Sequence, residues 1–270
     1  MPREQSGLGY TSPSLEFDTV DVLGIPVARL DLAGVMSRIE TCIATPEPHA
    51  FTLAYVNAHS CNLFFEDPAY RHAMLKTDLV YVDGNGARLA AFLSGDWLPP
   101  RMTGADWIYD LCELAARESY RLYFLGSPPG VAAAAAAKLC QHYPGLQVVA
   151  AHDGFFRLED EQARIDELVR LKPDILLLGM SSPYQELWMD RLAPILSIPV
   201  IWAAGGVFDY ASGYQRRAPR WMRHLWLEWL GRWLLEPKRL TRRYMVGVPQ
   251  FLWRAITHAA QRRLARRRTA

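Results

Sequence analysis

Leu79-Val80-Tyr81-Val82 runs directly into Asp83-Gly84-Asn85-Gly86, and a helical pattern over residues 86–94 follows. A short unbroken apolar run that stops at a glycine-bearing turn reads as a strand buried on both faces. The same grammar recurs along the chain. Phe51–Val56, Arg121–Leu125, Leu146–Ala151, Asp174–Leu178 and Val200–Ala203 read as further strands. Helical patterns lie near 31–43, 67–76, 105–118, 130–142, 160–171 and 184–194. Strand and helix in alternation build βαβ units. The expected fold class is therefore α/β: a Rossmann-like, mostly parallel sheet with helices on both faces. Thr19–Val27 is expected to form a small extended or hairpin element.

The 270 residues are 50% hydrophobic and 21% charged, which allows a sizeable core and excludes global disorder. The net charge of +2 conceals a division. Residues 214–270 carry 15 Lys and Arg against 2 Asp and Glu, whereas residues 1–213 carry 15 against 26. An acidic body is thus joined to a basic tail, which should seek phosphates, an anionic membrane or nucleic acid. In the tail, Trp221, Leu225, Trp226, Trp229, Leu230, Trp233 and Leu234 keep helical spacing. Glu236-Pro237 should break that helix, a second segment over Lys238–Val246 places Arg239, Arg242 and Arg243 on one face, and Pro249 opens a third helix that carries Phe251, Leu252, Ile256 and Leu264 among arginines. Trp and Arg together on amphipathic helices favour a lipid interface.

The expected organisation is a disordered segment over 1–18, an α/β core over 19–213, and a basic, helical, membrane-binding appendage over 214–270. Met1–Asp18 lacks the apolar stretch of a signal peptide. No run of about 18 apolar residues occurs that would span a bilayer. A cytoplasmic protein, peripheral on the inner face of the membrane, is the expectation.

Ligands of open parallel sheets bind at the carboxyl ends of the strands. In Asp83-Gly84-Asn85-Gly86, the glycines allow close backbone approach. Asp83 there is a candidate general base or sugar-hydroxyl ligand, with a plain Asx turn as the alternative. Gly126-Ser127-Pro128-Pro129-Gly130 opens a helix whose amides suit a phosphate, or is simply a tight turn. In Gly179-Met180-Ser181-Ser182-Pro183-Tyr184-Gln185-Glu186, the last two residues can read a base or sugar, or form an acidic first turn capped by Ser182. Ala204-Gly205-Gly206-Val207-Phe208-Asp209 adds adjacent glycines and a carboxylate suited to ribose or sugar hydroxyls. Together these strand ends point to a nucleotide or nucleotide-sugar cleft.

Cys42, Cys61, Cys112 and Cys140 share no metal-ligand spacing, and the seven histidines form no zinc motif. Neither a P-loop, a GxGxxG nor a GxSxG occurs, which argues against an ATPase, an ordinary dinucleotide enzyme and a serine hydrolase. No metal and no cofactor are expected. A nucleic-acid-binding protein would use the basic tail but leave the glycine-bearing strand ends without a purpose. A NAD- or SAM-binding enzyme should carry a glycine fingerprint after its first strand.

The ordered set Asn57-Ala58-His59, Asp78-Leu79-Val80, Asp83-Gly84-Asn85-Gly86, Arg101-Met102-Thr103-Gly104-Ala105-Asp106, Gly126-Ser127, Gln185-Glu186 and Gly205-Gly206-Val207-Phe208-Asp209 continues into the tail. There it adds Arg217-Ala218-Pro219, Glu228-Trp229, Glu236-Pro237 and Arg242-Arg243-Tyr244. Over roughly residues 20–245 the chain resembles the WecG/TagA/CpsF glycosyltransferases, glycosyltransferase family 26. Some members have Thr-Pro-Asn where this chain has Tyr55-Val56-Asn57.

The resemblance implies an inverting, metal-independent transfer from a UDP-sugar to a sugar on a polyprenyl diphosphate, in bacterial surface polysaccharide synthesis. N-acetylmannosamine, its uronic acid and glucose are all transferred within the family. It implies Asp83 as the general base and Arg101 as the group that neutralises the departing UDP. Asn57, Asn85, Gly126, Ser127, Gln185, Glu186, Gly205, Gly206 and Asp209 are the expected substrate-binding residues. Arg232, Arg239 and Arg242 match arginines that would meet the lipid diphosphate. The expected partners are the UDP-sugar donor, the polyprenyl-diphosphate-sugar acceptor and an anionic membrane surface, without nucleic acid. A homo-oligomer is compatible with these features.

Overall fold

The structure, a computed structural model, describes residues 17–156, 158–218, 222 and 228–269, with the side chains of Leu158, Glu228, Arg239 and residues 266–269 outside that description. Most of the segment expected to be disordered, and Trp221, Leu225 and Trp226 of the tail, therefore lie outside the described residues. Asp18 is held: its carbonyl accepts the N–H of Arg29 at 2.8 Å.

The chain opens with an antiparallel hairpin, β1 (Thr19–Val22) and β2 (Ile25–Ala28). Its turn places Leu23 and Gly24 at φ of 58° and 90°, the backbone twist that two-residue hairpins prefer. There follow α1 (Leu32–Ala44), β3 (Phe51–Val56), α2 (Ala58–Glu66), α3 (Pro68–Lys76), β4 (Leu79–Val82), α4 (Asn85–Leu93) and α5 (Gly104–Glu118). The core continues through β5 (Arg121–Gly126), α6 (Val131–His142), β6 (Gln147–His152), α7 (Leu158–Leu171), β7 (Ile175–Gly179), α8 (Tyr184–Leu192), β8 (Val200–Ala203) and α9 (Val207–Ala211).

The six strands β3–β8 form one parallel sheet in the order β4-β3-β8-β7-β5-β6. Alternate residues of the same strands feed opposite layers. Val56, Val82, Leu125, Leu178 and Ala203 belong to one buried cluster, and Leu53, Tyr81, Phe124, Leu177 and Trp202 to the other. That two-sided burial is why the strands read as continuous apolar runs. In this order β3 and β4 lie on one side of β8 and the remaining strands on the other, a switch point that leaves a crevice above the strand ends.

All six expected sheet strands form, within one residue of their expected bounds. Two helices were not expected. In α2, Ser60 and Asn62 are buried among apolar neighbours, which erases the amphipathic signal. Its start is fixed by Asn57, whose Oδ1 accepts the N–H groups of His59 and Ser60. The other, α9, is a short helix directly after the glycine pair.

Beyond the core lie α10 (Glu228–Leu235), α11 (Pro237–Thr241), a π-helical turn (Arg242–Val246) and α12 (Gly247–Thr269). Glu236-Pro237 separates α10 from α11 as expected. The last helix has a different placement from a tail devoted to lipid. Phe251 and Ala255 join the same buried cluster as Val56 and Ala87. Arg254 pairs with Glu66 at 3.2 Å, His258 lies 3.2 Å from Asp21, and Arg262 pairs with Asp96 at 3.1 Å. Leu252, Trp253, Ile256 and Leu264 of the same helix are exposed. No helix among the described residues is long and apolar enough to cross a membrane.

Candidate active site

The crevice above the strand ends holds two joined chambers. The first, of about 690 Å³, lies over β3, β4 and β8. Asp83 lines it from the end of β4, and its N–H donates to Val56 O at 2.9 Å, extending the β3–β4 ladder by one residue. Gly84 follows at φ +105°, a conformation that would strain a side chain. Tyr55, Asn57 and His59 line the chamber from the end of β3 and the first turn of α2. Gly205 and Gly206 form its floor, and a Cβ on Gly205 would stand 2.8 Å from the Tyr55 hydroxyl. From above come Arg232 of α10 and Arg242 and Arg243 of the π-helical turn.

Burial, assisted by the nearby Arg243 guanidinium, pushes the His59 imidazolium pKa down to about 4, so the ring is neutral at pH 7. Burial, and then the Glu186 carboxylate, pushes the Tyr55 phenol up to about 12, which keeps it a proton donor. The chamber thus combines one carboxylate at a strand end, a neutral imidazole and three guanidinium groups.

The second chamber, of about 1460 Å³, lies over β5, β6 and β7. Phe155, Phe156, Tyr184, Trp188 and Tyr214 give it an aromatic wall. Its floor is closed by glycines. A Cβ on Gly126 would sit 2.4 Å from the Gly179 backbone, and one on Gly154 would sit 2.7 Å from Met180 Cγ. Ser127, at φ +60° and 6% exposed, lines this chamber with an Oγ that is buried without a hydrogen-bond partner. An orphaned hydroxyl of this kind is costly unless something else satisfies it.

Ser181, Gly206, Asp209, Tyr210 and Arg232 line both chambers and form the junction. Tyr210 lies between two cations, with the Arg217 and Arg232 guanidinium carbons each 5.7 Å from its ring centroid. Arg217 also pairs with Asp106 of α5, which ties the root of the appendage to the core.

Of the expected site residues, Asp83, Asn57, Gly205, Gly206, Asp209, Arg232 and Arg242 line the first chamber, and Ser127 the second. Asn85, Arg101 and Gly126 line neither. Arg101 precedes Met102, whose N–H donates to Val82 O at 2.8 Å, so it sits beside the end of β4. The Arg239 side chain lies outside the described residues. Gln185 and Glu186 are 0% exposed and stand beneath the chamber floor, not on its walls. Gln185 donates to Glu186 Oε1 at 2.9 Å, and Ser182 donates to the same oxygen at 2.6 Å. Burial raises the Glu186 carboxyl pKa, opposed by those two hydrogen bonds.

Sequence reasoning did not single out Tyr55, His59, Arg243 or Tyr210 as site residues. Arg243 shares a helical face with Arg239 and Arg242, and His59 stands in Asn57-Ala58-His59, so both carried a signal. Tyr210 carried none, because its place depends on where α10 returns. Among the described residues, no three His, Cys, Asp or Glu side chains come together as a metal-ligand group.

A carboxylate facing guanidinium groups, at glycine-floored strand ends, suits proton abstraction beside a developing phosphate charge. Comparison with known proteins gives the family. The N-acetylglucosaminyldiphosphoundecaprenol N-acetyl-beta-D-mannosaminyltransferase of Bacillus spizizenii is 26% identical over 238 residues, spanning 86% of this chain and 91% of that protein. The Staphylococcus aureus (strain NCTC 8325 / PS 47) protein of the same name is 26% identical over 235 residues, spanning 87% and 91%. Residues 20–265 match the sequence profile described as the Glycosyl transferase WecG/TagA/CpsF family. With fold, strand-end motifs and profile in agreement over most of its length, the chain belongs to the WecG/TagA/CpsF family of glycosyltransferases.

Proposed function

We propose that the protein transfers an N-acetylhexosaminyl unit of the N-acetylmannosamine type from a UDP-sugar to N-acetylglucosamine carried on a polyprenyl diphosphate. The observation that carries this reading is the joining of two unlike chambers at Gly206, Asp209, Tyr210 and Arg232. The aromatic chamber with the orphaned Ser127 hydroxyl takes the nucleotide, and Asp209 at the junction takes ribose or sugar hydroxyls. The chamber with Asp83 and the arginines takes the acceptor sugar and its diphosphate. The names of the relatives support the acceptor and the transferred sugar.

In this reading Asp83 removes the proton from the acceptor hydroxyl as that oxygen attacks the anomeric carbon. The bond from that carbon to the UDP oxygen breaks on the opposite side, so the configuration inverts. Arg232, at the junction, meets the charge that develops on the departing diphosphate, and no metal is needed for that task. Arg242 and Arg243 hold the acceptor diphosphate. Gln185 and Glu186 fix the floor from beneath. The exposed Leu252, Trp253 and Ile256 beside the arginines suit a peripheral position on an anionic membrane.

UDP release from a panel of UDP-sugars, with and without a polyprenyl-diphosphate N-acetylglucosamine acceptor and in the presence of EDTA, tests the proposal. Acceptor-dependent release from UDP-N-acetylmannosamine is expected. Absence of UDP binding would overturn it.

A further inference from the structure

The last helix does more than cover the core. We infer that Phe251 of α12 is a positioning residue for the loop that carries Asp83, an inference that rests on Asp83 being the base. Phe251 is 2% exposed, although a short distance along the same helix Trp253 is 69% exposed. Its ring is directed at Gly86, three residues beyond Asp83. A Cβ on Gly86 would lie 3.5 Å from Phe251 Cε1 and 3.3 Å from the Ala58 Cβ of α2. The start of α4 therefore packs at Gly86 against both α2 and the Phe251 ring.

The register of this grip is set by a buried amide. Asn62 of α2 is 5% exposed, and its Nδ2 donates to Gly247 O at 2.7 Å. Arg254 Nη1 in turn donates to Asn62 Oδ1 at 2.7 Å and to Asn62 O at 3.2 Å. Gly247, Phe251 and Arg254 follow helical spacing and share one face of α12. One side chain of α2 thus fixes both the height and the rotation of α12, and with them the point at which the ring meets Gly86. Gly84 beside Asp83 is flexible by nature, so the loop depends on its surroundings for a fixed position.

The inference is tested in the full chain with Phe251→Ala, Phe251→Leu, Gly86→Ala and the combination of Gly86→Ala with Phe251→Leu. The readouts are kcat and KM on a water-soluble short-chain acceptor, donor affinity, and the unfolding midpoint. Phe251→Ala is expected to lower kcat roughly 10- to 100-fold, the scale of a small misplacement of a reacting group. The donor KM should stay unchanged, and Phe251→Leu should restore most of the rate. Gly86→Ala should lower kcat modestly, because the added methyl meets Ala58 Cβ at 3.3 Å and must shift the start of α4 where it packs on Phe251, so its effect should not simply multiply with that of Phe251→Leu. An unchanged kcat in Phe251→Ala would overturn the inference. So would a loss that tracks only the unfolded fraction. If Phe251→Ala does not fold, the Gly86→Ala and Phe251→Leu pair decides, and strictly multiplicative effects on kcat would overturn it. If the wild type transfers no sugar, the reading of Asp83 fails instead. Amide exchange at Asp83–Gly86, expected to be faster in Phe251→Ala, then tests the grip by itself, and unchanged exchange would overturn it.

Discussion

Gln185 Oε1 accepts the backbone N–H of Gly205 at 3.0 Å, which ties the first turn of α8 to the turn after β8 beneath the chamber floor. Removing that acceptor leaves a buried N–H without a partner. Gln185→Ala is expected to lose about 1–3 kcal/mol of stability, the cost of one unsatisfied buried group. Urea unfolding measures it. Stability equal to wild type would mean that the floor does not depend on this bond.

Asp83→Asn keeps the size of the side chain and removes its capacity to accept a proton. Turnover is expected to fall about 10²- to 10⁴-fold, the range for general-base catalysis, with UDP affinity retained. Calorimetry for UDP and acceptor-dependent UDP release separate the two quantities. A near-normal rate in this variant would assign the base elsewhere.

The arginines should divide by position. Arg243→Ala is expected to raise the acceptor KM about 10- to 100-fold, from the loss of about 1.5–3 kcal/mol of charge-assisted hydrogen bonding. Arg232→Ala, at the junction of the chambers, should lower kcat instead. Steady-state kinetics with each substrate varied in turn checks this. An unchanged kcat in Arg232→Ala would remove it from the leaving-group role.

The neutral His59 makes stability depend on pH. Its pKa lies near 4 in the folded chain, below the ordinary 6.5, because burial and Arg243 oppose the charge. The unfolded chain therefore binds more protons between these values, and stability falls as pH drops from about 6.5 towards 4. With partial solvent screening the loss attributable to His59 is about 2 kcal/mol. Unfolding of wild type and His59→Gln across that range should give curves that converge at low pH. Parallel curves would show that His59 is not the titrating group.

Gly126→Ala places a methyl 2.4 Å from the backbone of Gly179, which cannot swing aside as a side chain can. A loss of about 3 kcal/mol or more is expected from this overlap. Thermal unfolding reports it, and a wild-type midpoint would mean that the strand ends are looser than their spacing indicates.

How far the sequence reached differs between sheet and site. Strands such as Leu79–Val82 were legible because burial on both faces leaves an unbroken apolar run. The Asp83 and Gly205-Gly206 turns were legible because glycine at a strand end has few other uses. Gln185 and Glu186 were visible as polar residues beside the cleft, but residue type alone does not distinguish a wall from a support under the floor. Tyr210 and Phe251 were not legible as parts of the site, since each acts through a neighbour more than 20 residues away. The arginines of α12 were visible only as charge. The carboxylate partners of Arg254 and Arg262, Glu66 and Asp96, belong to the first half of the chain.

The meeting of α12 with the first hairpin and with Gly86 also orders events in time. Synthesis runs from the N-terminus, so the sheet and its glycine-floored crevice can form while α12 is still being made. A growing chain then holds the strand-end floor of the crevice before it holds the support behind Asp83. On the proposed assignment of Asp83, competence arrives only with the final helix, and a prematurely ended chain keeps the crevice without the packing that holds its base in place.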